Sequence, residues 1–120
     1  MDEAFISSIV LFAGTFAPIN WAFCHGQTMN IRDNAALFSL LGTTYGGDGM
    51  NTFKLPDLRG AVPVGVGQGT GLPHVQLGEQ GRSKSVTTFK AAEGVTQTLT
   101  TPTLGLNYII CLNGIYPSRP

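Results

Sequence analysis

Glycine is the residue that most constrains how this chain can fold. It occupies 16 of the 120 positions, and proline occupies seven more. The usual share of glycine is about 7%, and the excess here follows no collagen-like period. Glycines spread in this way indicate many tight turns and positive φ angles. We therefore expect a mainly β fold with one short helix, built as a small compact module with many ordered loops.

Length and charge narrow the class of protein. A chain of 120 residues makes a single domain, here 1–120, around one core of modest size. Seven basic and seven acidic residues give a net charge of zero. Nucleic acid is excluded as an expected partner because binding its phosphates needs a positive excess. A surface with so little charge also offers little repulsion between copies, which favours a chain that works in an assembly.

The N-terminal segment Phe5–Ala13 is apolar, but it does not have the pattern expected of a secretory signal. Asp2 and Glu3 precede it, where a secretory signal carries lysine or arginine. Its length is about half of what a membrane span needs. We expect a core strand here, no membrane insertion and no recognisable signal peptide, so export would need cell lysis or a dedicated machine.

Further elements follow along the chain. Apolar residues at helical spacing between positions 36 and 41 predict a helix of about two turns, with Asp33 as its N-cap and Gly42 as its end. Alternating valines predict an edge strand or extended segment over 62–66, and a loop follows over 67–81. Residues 104–112 form the strongest final strand, because they are apolar on both faces.

Two threonine-rich segments, Ser85–Lys90 and Val95–Thr101, predict a β-hairpin near the C-terminal third. A two-stranded ribbon is marginal alone and exposes unpaired edges. One interpretation is that this ribbon packs on a neighbouring copy, and the other is that it folds back on its own domain. The candidate self-assembly residues are Val86, Thr88, Phe89, Val95, Gln97, Leu99 and Tyr116.

Several sequence blocks stand in the order found in one family: FAGTFAPINWAFCHGQTM, ALFSLLGTTYGGDG, TFKLPDLRGAVPVGVG, LGEQG and LNYIICLNGIYPSRP. The chain resembles the phage tail collar domain, in the form carried by microcystin-dependent proteins, over most of 5–82 and 104–120. The resemblance implies a β-rich assembly or adhesion module, often trimeric and without catalytic activity. Relatives usually carry a long insert with His-x-His clusters between the LGEQG block and the C-terminal strand. Here that interval, residues 82–103, is short and contains no histidine.

The two cysteines leave two interpretations open. Cys24 and Cys111 lie far apart in the sequence, each in a segment expected to be core. A disulfide between them would stabilise the fold by about 4–5 kcal/mol in the chain-entropy model. The alternative is two buried free thiols, which behave as small hydrophobic side chains. The bond requires the two α carbons to lie within about 7 Å of each other.

No reactive site is expected. The two cysteines with His25 and His74 lack the spacing of a zinc site. Nothing in the sequence marks a residue that would orient a thiol–histidine pair, and the glycine-rich run 65–71 lacks the lysine of a phosphate-binding loop. We therefore predict no catalytic residues, no metal and no cofactor.

A receptor site is the alternative to a purely structural role. Trp21 and Tyr45 could stack on a sugar, and Asp57 with Arg59 could bind hydroxyl or carboxylate groups. Each has a simpler interpretation, since Trp21 also suits the core and Asp57 and Arg59 also suit local pairing.

Two functions follow from these patterns. The first is a structural self-assembling protein, forming a trimer or polymer as an extracellular fibre or a virion or tail-like particle. The second is an adhesin-type module that binds a cell-surface glycan or protein. An enzyme is not expected.

Overall fold

The computed structural model describes residues 4–81, 86–92, 95–100 and 102–120, with only the backbone of the two strands within 86–100. These residues form one helix, α1 (Ala35–Leu41), after a 3-10 turn at Arg32–Asn34. The strands are β1 (Ile9–Phe12), β2 (Trp21–Phe23), β3 (Thr28–Asn30), β4 (Thr52–Lys54), β5 (Gly67–Gln68), β6 (His74–Val75), β7 (Val86–Ala92), β8 (Val95–Thr100) and β9 (Asn107–Cys111). The expectation of a mainly β fold with one short helix is confirmed.

The last strand forms the centre of the main sheet. β9 lies between β1 and β2 and is antiparallel to both. Neither edge of this strand is left open, and its residues Ile109, Ile110 and Cys111 are buried. Two backbone bonds of 2.9 Å then join Ile115 to Ala4 and Ile6. The C-terminal segment therefore holds the N-terminal segment in place.

The predicted strand over Phe5–Ala13 is shorter in the structure, where β1 begins only at Ile9. Ser7 adopts a φ of 77°, and the N–H of Ser8 donates to the carbonyl of Phe5 at 3.1 Å. This turn lets Ile6 enter the core before the chain straightens. A turn made by serine in a positive-φ conformation has no distinct sequence signal, because L-residues other than glycine rarely adopt it.

The predicted helix and its end are confirmed. Gly42, with a φ of 56°, follows the helix, and its N–H donates to the carbonyl of Phe38 at 2.8 Å. The predicted N-cap at Asp33 is wrong. Asp33 lies inside the 3-10 turn, and Asn34 takes the cap position without a capping side-chain bond. Its amide instead donates to the carbonyl of Asn30 at 2.9 Å.

The core joins the helix to the sheet. Leu37 from α1 and Phe53 from β4 are almost fully buried, as is Ile110 from β9. The rings of Phe38 and Phe53 meet at 5.4 Å and 54°, a tilted arrangement that aromatic pairs favour. Cys24, Leu55 and Ile6 complete the buried cluster. The helix is only about two turns long, so this packing is what stabilises it.

Of the two interpretations of the cysteines, the structure shows the second, because Cys24 and Cys111 are both buried free thiols. On β9, Cys111 is the partner of Trp21. Cys24 lies beside Tyr108 instead, because the N–H of Cys24 donates to the carbonyl of Tyr108 at 2.9 Å. The two cysteines are therefore three positions apart along β9, a distance of about 10 Å. Three positions also place the two side chains on opposite faces of the sheet. The interpretation as small hydrophobic side chains is the correct one.

The chain from 61 to 81 is partly as expected. Residues 61–66 run without a turn or bend, as an extended segment requires, and within the described part of the chain they belong to no strand. The predicted loop over 67–81 contains a small antiparallel pair, β5 with β6, which the sequence analysis missed. Each of these strands has two residues, too few for an alternating pattern to show.

The predicted hairpin is confirmed as the antiparallel pair β7–β8, which forms a sheet of its own. Its register joins Val86 to Thr100 and Phe89 to Gln97, with an irregularity between Lys90 and Ala92. We call this pair the ribbon.

Gly47 shows why the loop between α1 and β4 needs glycine. Its φ is 97°, and a Cβ built there would collide with the Cα of Phe53 and lie 2.7 Å from the carbonyl oxygen of Thr52. The backbone of the loop therefore passes directly against β4.

We expect Gly47→Ala to lower the free energy of unfolding by at least about 2 kcal/mol, since it adds a steric collision to an unfavourable φ. Gly65→Ala is the matched control, because its φ is ordinary and a Cβ there would meet nothing within 4 Å. The control should change stability by less than about 1 kcal/mol. Urea unfolding followed by circular dichroism compares the two, and equal losses would contradict this account of the loop.

Candidate functional site

A cleft of about 420 Å³ opens beside β4. Four segments meet there: the turn at Gly26, the loop after α1, the stretch from β4 to Asp57, and the block Leu77–Gly81. The lining residues are Gly26, Thr44, Tyr45, Lys54, Leu55, Asp57, Gly78 and Gln80. A Cβ on Gly78 would lie 2.6 Å from Thr44, so this block packs directly on the loop that carries Tyr45.

The loop that carries Tyr45 is fixed by Asp48. One oxygen of its carboxylate accepts hydrogen bonds from the backbone N–H groups of Met50, Asn51 and Thr52 at 2.8, 2.8 and 2.9 Å. These bonds favour the charged form, so the pKa of Asp48 falls from 3.8 to about 2, with the bond from Thr52 as the largest cause. An ionised Asp48 therefore holds the loop closed at neutral pH.

The opposite wall is formed by Asp57, whose carboxylate is occupied by Arg59. The Arg59 guanidinium donates two bonds, from Nε at 2.9 Å and from Nη2 at 2.8 Å. The backbone N–H of Arg59 donates a third at 3.2 Å. Mainly through the guanidinium, the pKa of Asp57 falls to about 2. The simpler interpretation of this pair is therefore the one that the structure shows.

Gln27 fixes the backbone next to Gly26, which lines the cleft, and it was missed because no pattern in the sequence singles it out. Its side-chain amide donates to the carbonyl of Phe23 at 2.9 Å, and its side-chain oxygen accepts from the N–H of His25 at 3.1 Å. The His25 ring stacks on Phe23 at 5.0 Å, and His25 forms a β-bridge with Asp57. The only signal in the sequence is Gly26, which marks a turn at this point.

Lys54 was also missed, although the alternation in β4 provides a signal for it. Phe53 is fully buried, so its neighbour Lys54 must face outwards. Asp57 with Arg59 is the single ion pair among the residues that the structure describes, so in that part of the chain the Lys54 ammonium has no carboxylate partner. It remains available to a ligand in the cleft.

The chemistry of the cleft is that of binding. Burial raises the pKa of the Tyr45 phenol. Burial also raises the pKa of the Cys24 thiol to about 11, so it stays protonated and is a poor nucleophile. Within residues 4–81 and 102–120, the histidines, cysteines and acidic residues form no group that could hold a metal ion.

Two comparisons relate this amino-acid sequence to known proteins. Residues 7–63 match the family model described as Phage Tail Collar Domain. Over these residues the chain is similar to a phage tail collar domain, and we refer to this part of the chain below as the collar domain. The resemblance to that family is therefore confirmed, while the microcystin-dependent type stays a prediction.

A second comparison agrees with the first. The chain is 37% identical over 78 residues to the protein named Short tail fiber protein gp12, from Enterobacteria phage T4. The match covers 62% of this chain but only 15% of that protein. Both matches are to structural parts of phage tails, which supports a structural role and argues against an enzyme. Among the described residues, no helix combines the length and the apolar character that crossing a membrane requires.

The four predicted receptor residues do not form one site in the collar domain. Tyr45 and Asp57 line the cleft, and Arg59 holds Asp57. Trp21 instead lies in β2 opposite Cys111 and borders a second cleft of about 360 Å³ that includes Ile19. It is partly buried there and does not belong to the buried core cluster.

The predicted self-assembly residues divide in a similar way. Tyr116 is 48% exposed, and its hydroxyl lies 2.7 Å from Oγ of Ser39 on α1. It therefore joins the C-terminal segment to the helix while leaving part of its ring accessible. The side chains of the other six lie outside the described residues: Val86, Thr88, Phe89, Val95, Gln97 and Leu99. Their role stays a prediction.

We expect Asp48→Asn to destabilise the collar domain at pH 7. The folded pKa lies below the ordinary 3.8, so the charge stabilises the fold above about pH 4, and this contribution is lost as the pH falls through about 2. The difference from the parent protein should therefore shrink between pH 4 and pH 2. Urea unfolding at pH 7, 4 and 2 measures it.

Asp33→Asn is the matched control, since it removes the same charge from an exposed residue that makes no side-chain hydrogen bond among the described residues. It should leave the free energy of unfolding close to that of the parent. A deficit for Asp48→Asn that stays constant down to pH 2 would contradict the proposed role of the charge.

Proposed function

We propose that this chain is a structural self-assembling protein of the tail-fibre type, which forms a trimer or a polymer of identical copies. Its place would be an extracellular fibre or a virion or tail-like particle. The observation that supports this most is the ribbon β7–β8. Its two strands pair only with each other, in a sheet separate from those of the collar domain.

The ribbon is a poor candidate for an independent element. Two strands of seven and six residues have no third strand in the described part of the chain. An isolated hairpin is marginally stable in water, and its outer edges carry unpaired backbone groups. Packing on a neighbouring copy would remove both problems, because backbone bonds across the edge join chains without requiring a particular side chain.

The dimensions of the protein agree with this role. It extends 60 Å along its longest axis and about 30 Å along the other two, with a radius of gyration of 17.9 Å. A compact domain of 120 residues has a radius of gyration of about 14 Å. A net charge of zero means that approaching copies do not repel one another strongly. An elongated neutral unit with free strand edges is suited to forming a fibre.

Deletion of residues 86–100 should abolish assembly and leave the collar domain folded. Val86 and Thr100 are paired across the base of the ribbon, with α carbons about 5 Å apart, so the cut ends can be rejoined without stretching the chain. Negative-stain electron microscopy and sedimentation measure assembly, and circular dichroism measures folding.

A shorter deletion, 89–97, is the matched control. Phe89 and Gln97 are also paired, so this variant keeps the base of the ribbon and removes only its outer part. We expect weakened assembly rather than none. Unchanged assembly of a folded protein without 86–100 would reject the ribbon as the contact, and a parent chain that stays monomeric would reject the self-assembly proposal.

The cleft favours a second candidate function, an adhesin-type module for a cell-surface glycan or protein. Tyr45, Lys54 and Gln80 place a phenol, an ammonium and an amide around one space. Such groups bind the hydroxyl groups of sugars, and an aromatic face can stack on a sugar ring. This function does not exclude the first, because a fibre can carry a binding site on each of its units.

Tyr45→Ala should abolish glycan-array binding if the cleft is the receptor site, because it removes both the ring and the hydroxyl. Tyr45→Phe is the control that keeps the ring, so it should retain weaker binding. Trp21→Ala should have no effect, since Trp21 borders the other cleft. Binding that is absent from the parent protein, or is retained by Tyr45→Ala, would reject the cleft as the site.

A further inference from the structure

We propose that residues 62–66 form a β-strand with a second copy of this chain, through the backbone edge that carries the N–H groups of Val62, Val64 and Val66. We call this stretch the valine segment. The inference rests on the proposed self-assembly and adds a contact to it. The ribbon is one surface between copies, and the valine segment is a second.

The valine segment exposes apolar side chains without cover. Val62 is 76% exposed, Val64 69% and Val66 61%. Residues 60–78 contain no lysine, arginine, aspartate or glutamate. Proteins usually protect an exposed extended segment with charges, above all lysine, so that it does not pair with other chains. The collar domain leaves this segment without that protection, although β-branched residues favour strands.

The backbone of the valine segment is equally free. Residues 61–66 have no turn or bend, and within the described part of the chain no backbone hydrogen bond is made by positions 62–66. Val62 precedes a proline, which favours an extended conformation for it. A strand here would be straight, exposed and unpaired, as strand addition from another chain requires.

Proline makes the two edges of the valine segment unequal. In a β-strand, the N–H and C=O groups of alternate residues point to the same edge, so positions 62, 64 and 66 share one edge and positions 63 and 65 share the other. Pro63 has no N–H and weakens its own edge. The edge of the three valines keeps every donor and acceptor. Pairing is therefore expected on that edge alone.

The exposed area favours a second copy as the occupant. The surface of the chain is 9179 Å², whereas a folded monomer of this mass exposes about 6,200 Å². This excess of about 3,000 Å² belongs to the chain as a whole, and it is enough for more than one interface in which each partner buries roughly 800 Å². A second copy of the same chain can pair here, because its own valine segment is also uncharged and pairing between backbones needs no opposite charges.

Hydrogen exchange resolved to single amides tests this contact in the assembled full-length chain. We expect the amides of Val62, Val64 and Val66 to exchange at least tenfold more slowly in the assembly than in the dilute monomer. The amide of Gly65 should exchange at the same rate in both, because it lies on the other edge.

Three variants test the same edge by sedimentation. Val64→Pro removes the central donor, Val64→Ala keeps it while trimming the side chain, and Gly65→Pro places the same ring on the opposite edge. Val64→Pro should weaken assembly at least tenfold beyond Val64→Ala. Gly65→Pro should assemble as the parent does, since the φ of Gly65 is not positive and a Cβ there meets no neighbour.

Each other outcome overturns the inference in a distinguishable way. Assembly with unprotected valine amides, or with equal effects of Val64→Pro and Val64→Ala, rejects the valine segment and leaves the ribbon contact standing. Protection that is already present in the monomer means that the same chain covers the segment, which also rejects the contact. A chain that never assembles rejects both this inference and the proposed function.

Discussion

The pairing of β9 with β1 and β2 is the interaction on which the rest of the structure depends. The last strand of the chain enters between two strands from its beginning, and Ile115 then binds Ala4 and Ile6. Closing a loop of nearly the whole chain costs conformational entropy, which only a well-buried strand can offset. Ile110 provides that burial, because it contacts the same cluster as Leu37 of the helix and Phe53 of β4. The cleft and its loops lie on this closed frame.

The polar side chains around the cleft are used mainly to hold the backbone. Asp48 binds three N–H groups of its own loop, Asp57 is occupied by Arg59, and Gln27 bridges two backbone groups. These local bonds explain how a domain with little regular structure keeps its loops ordered. They also limit what the cleft can bind, since Asp57 would have to leave Arg59 to receive a ligand. Among the described residues that line the cleft, the Lys54 ammonium and the Tyr45 phenol make no ion pair or side-chain hydrogen bond and can therefore bind a ligand.

The same scarcity of charge shapes the outer surface. This chain has no net charge, a two-stranded ribbon with open edges and a valine segment without charged neighbours. It therefore lacks the charges and covered edges by which proteins usually prevent pairing with other chains. Such a surface is a liability for a protein that must stay monomeric, and it is an advantage for one that joins copies of itself. The match of residues 7–63 to a tail collar domain agrees with the second case, because that family belongs to phage tails, which are assembled structures.

The β-rich class, the helix ending at Gly42, the hairpin and the course of residues 62–66 without a turn could be predicted from the residues alone, because glycine, proline and alternating valines act on the local backbone. It also contained the blocks that identify the collar domain. The opposite faces of the two cysteines, the separation of Trp21 from Tyr45 and the place of Lys54 in the cleft became visible only in the folded chain. Those features depend on which strands pair and in which register, and pairing is set by contacts between residues far apart in the chain, which leave no periodic trace in the sequence.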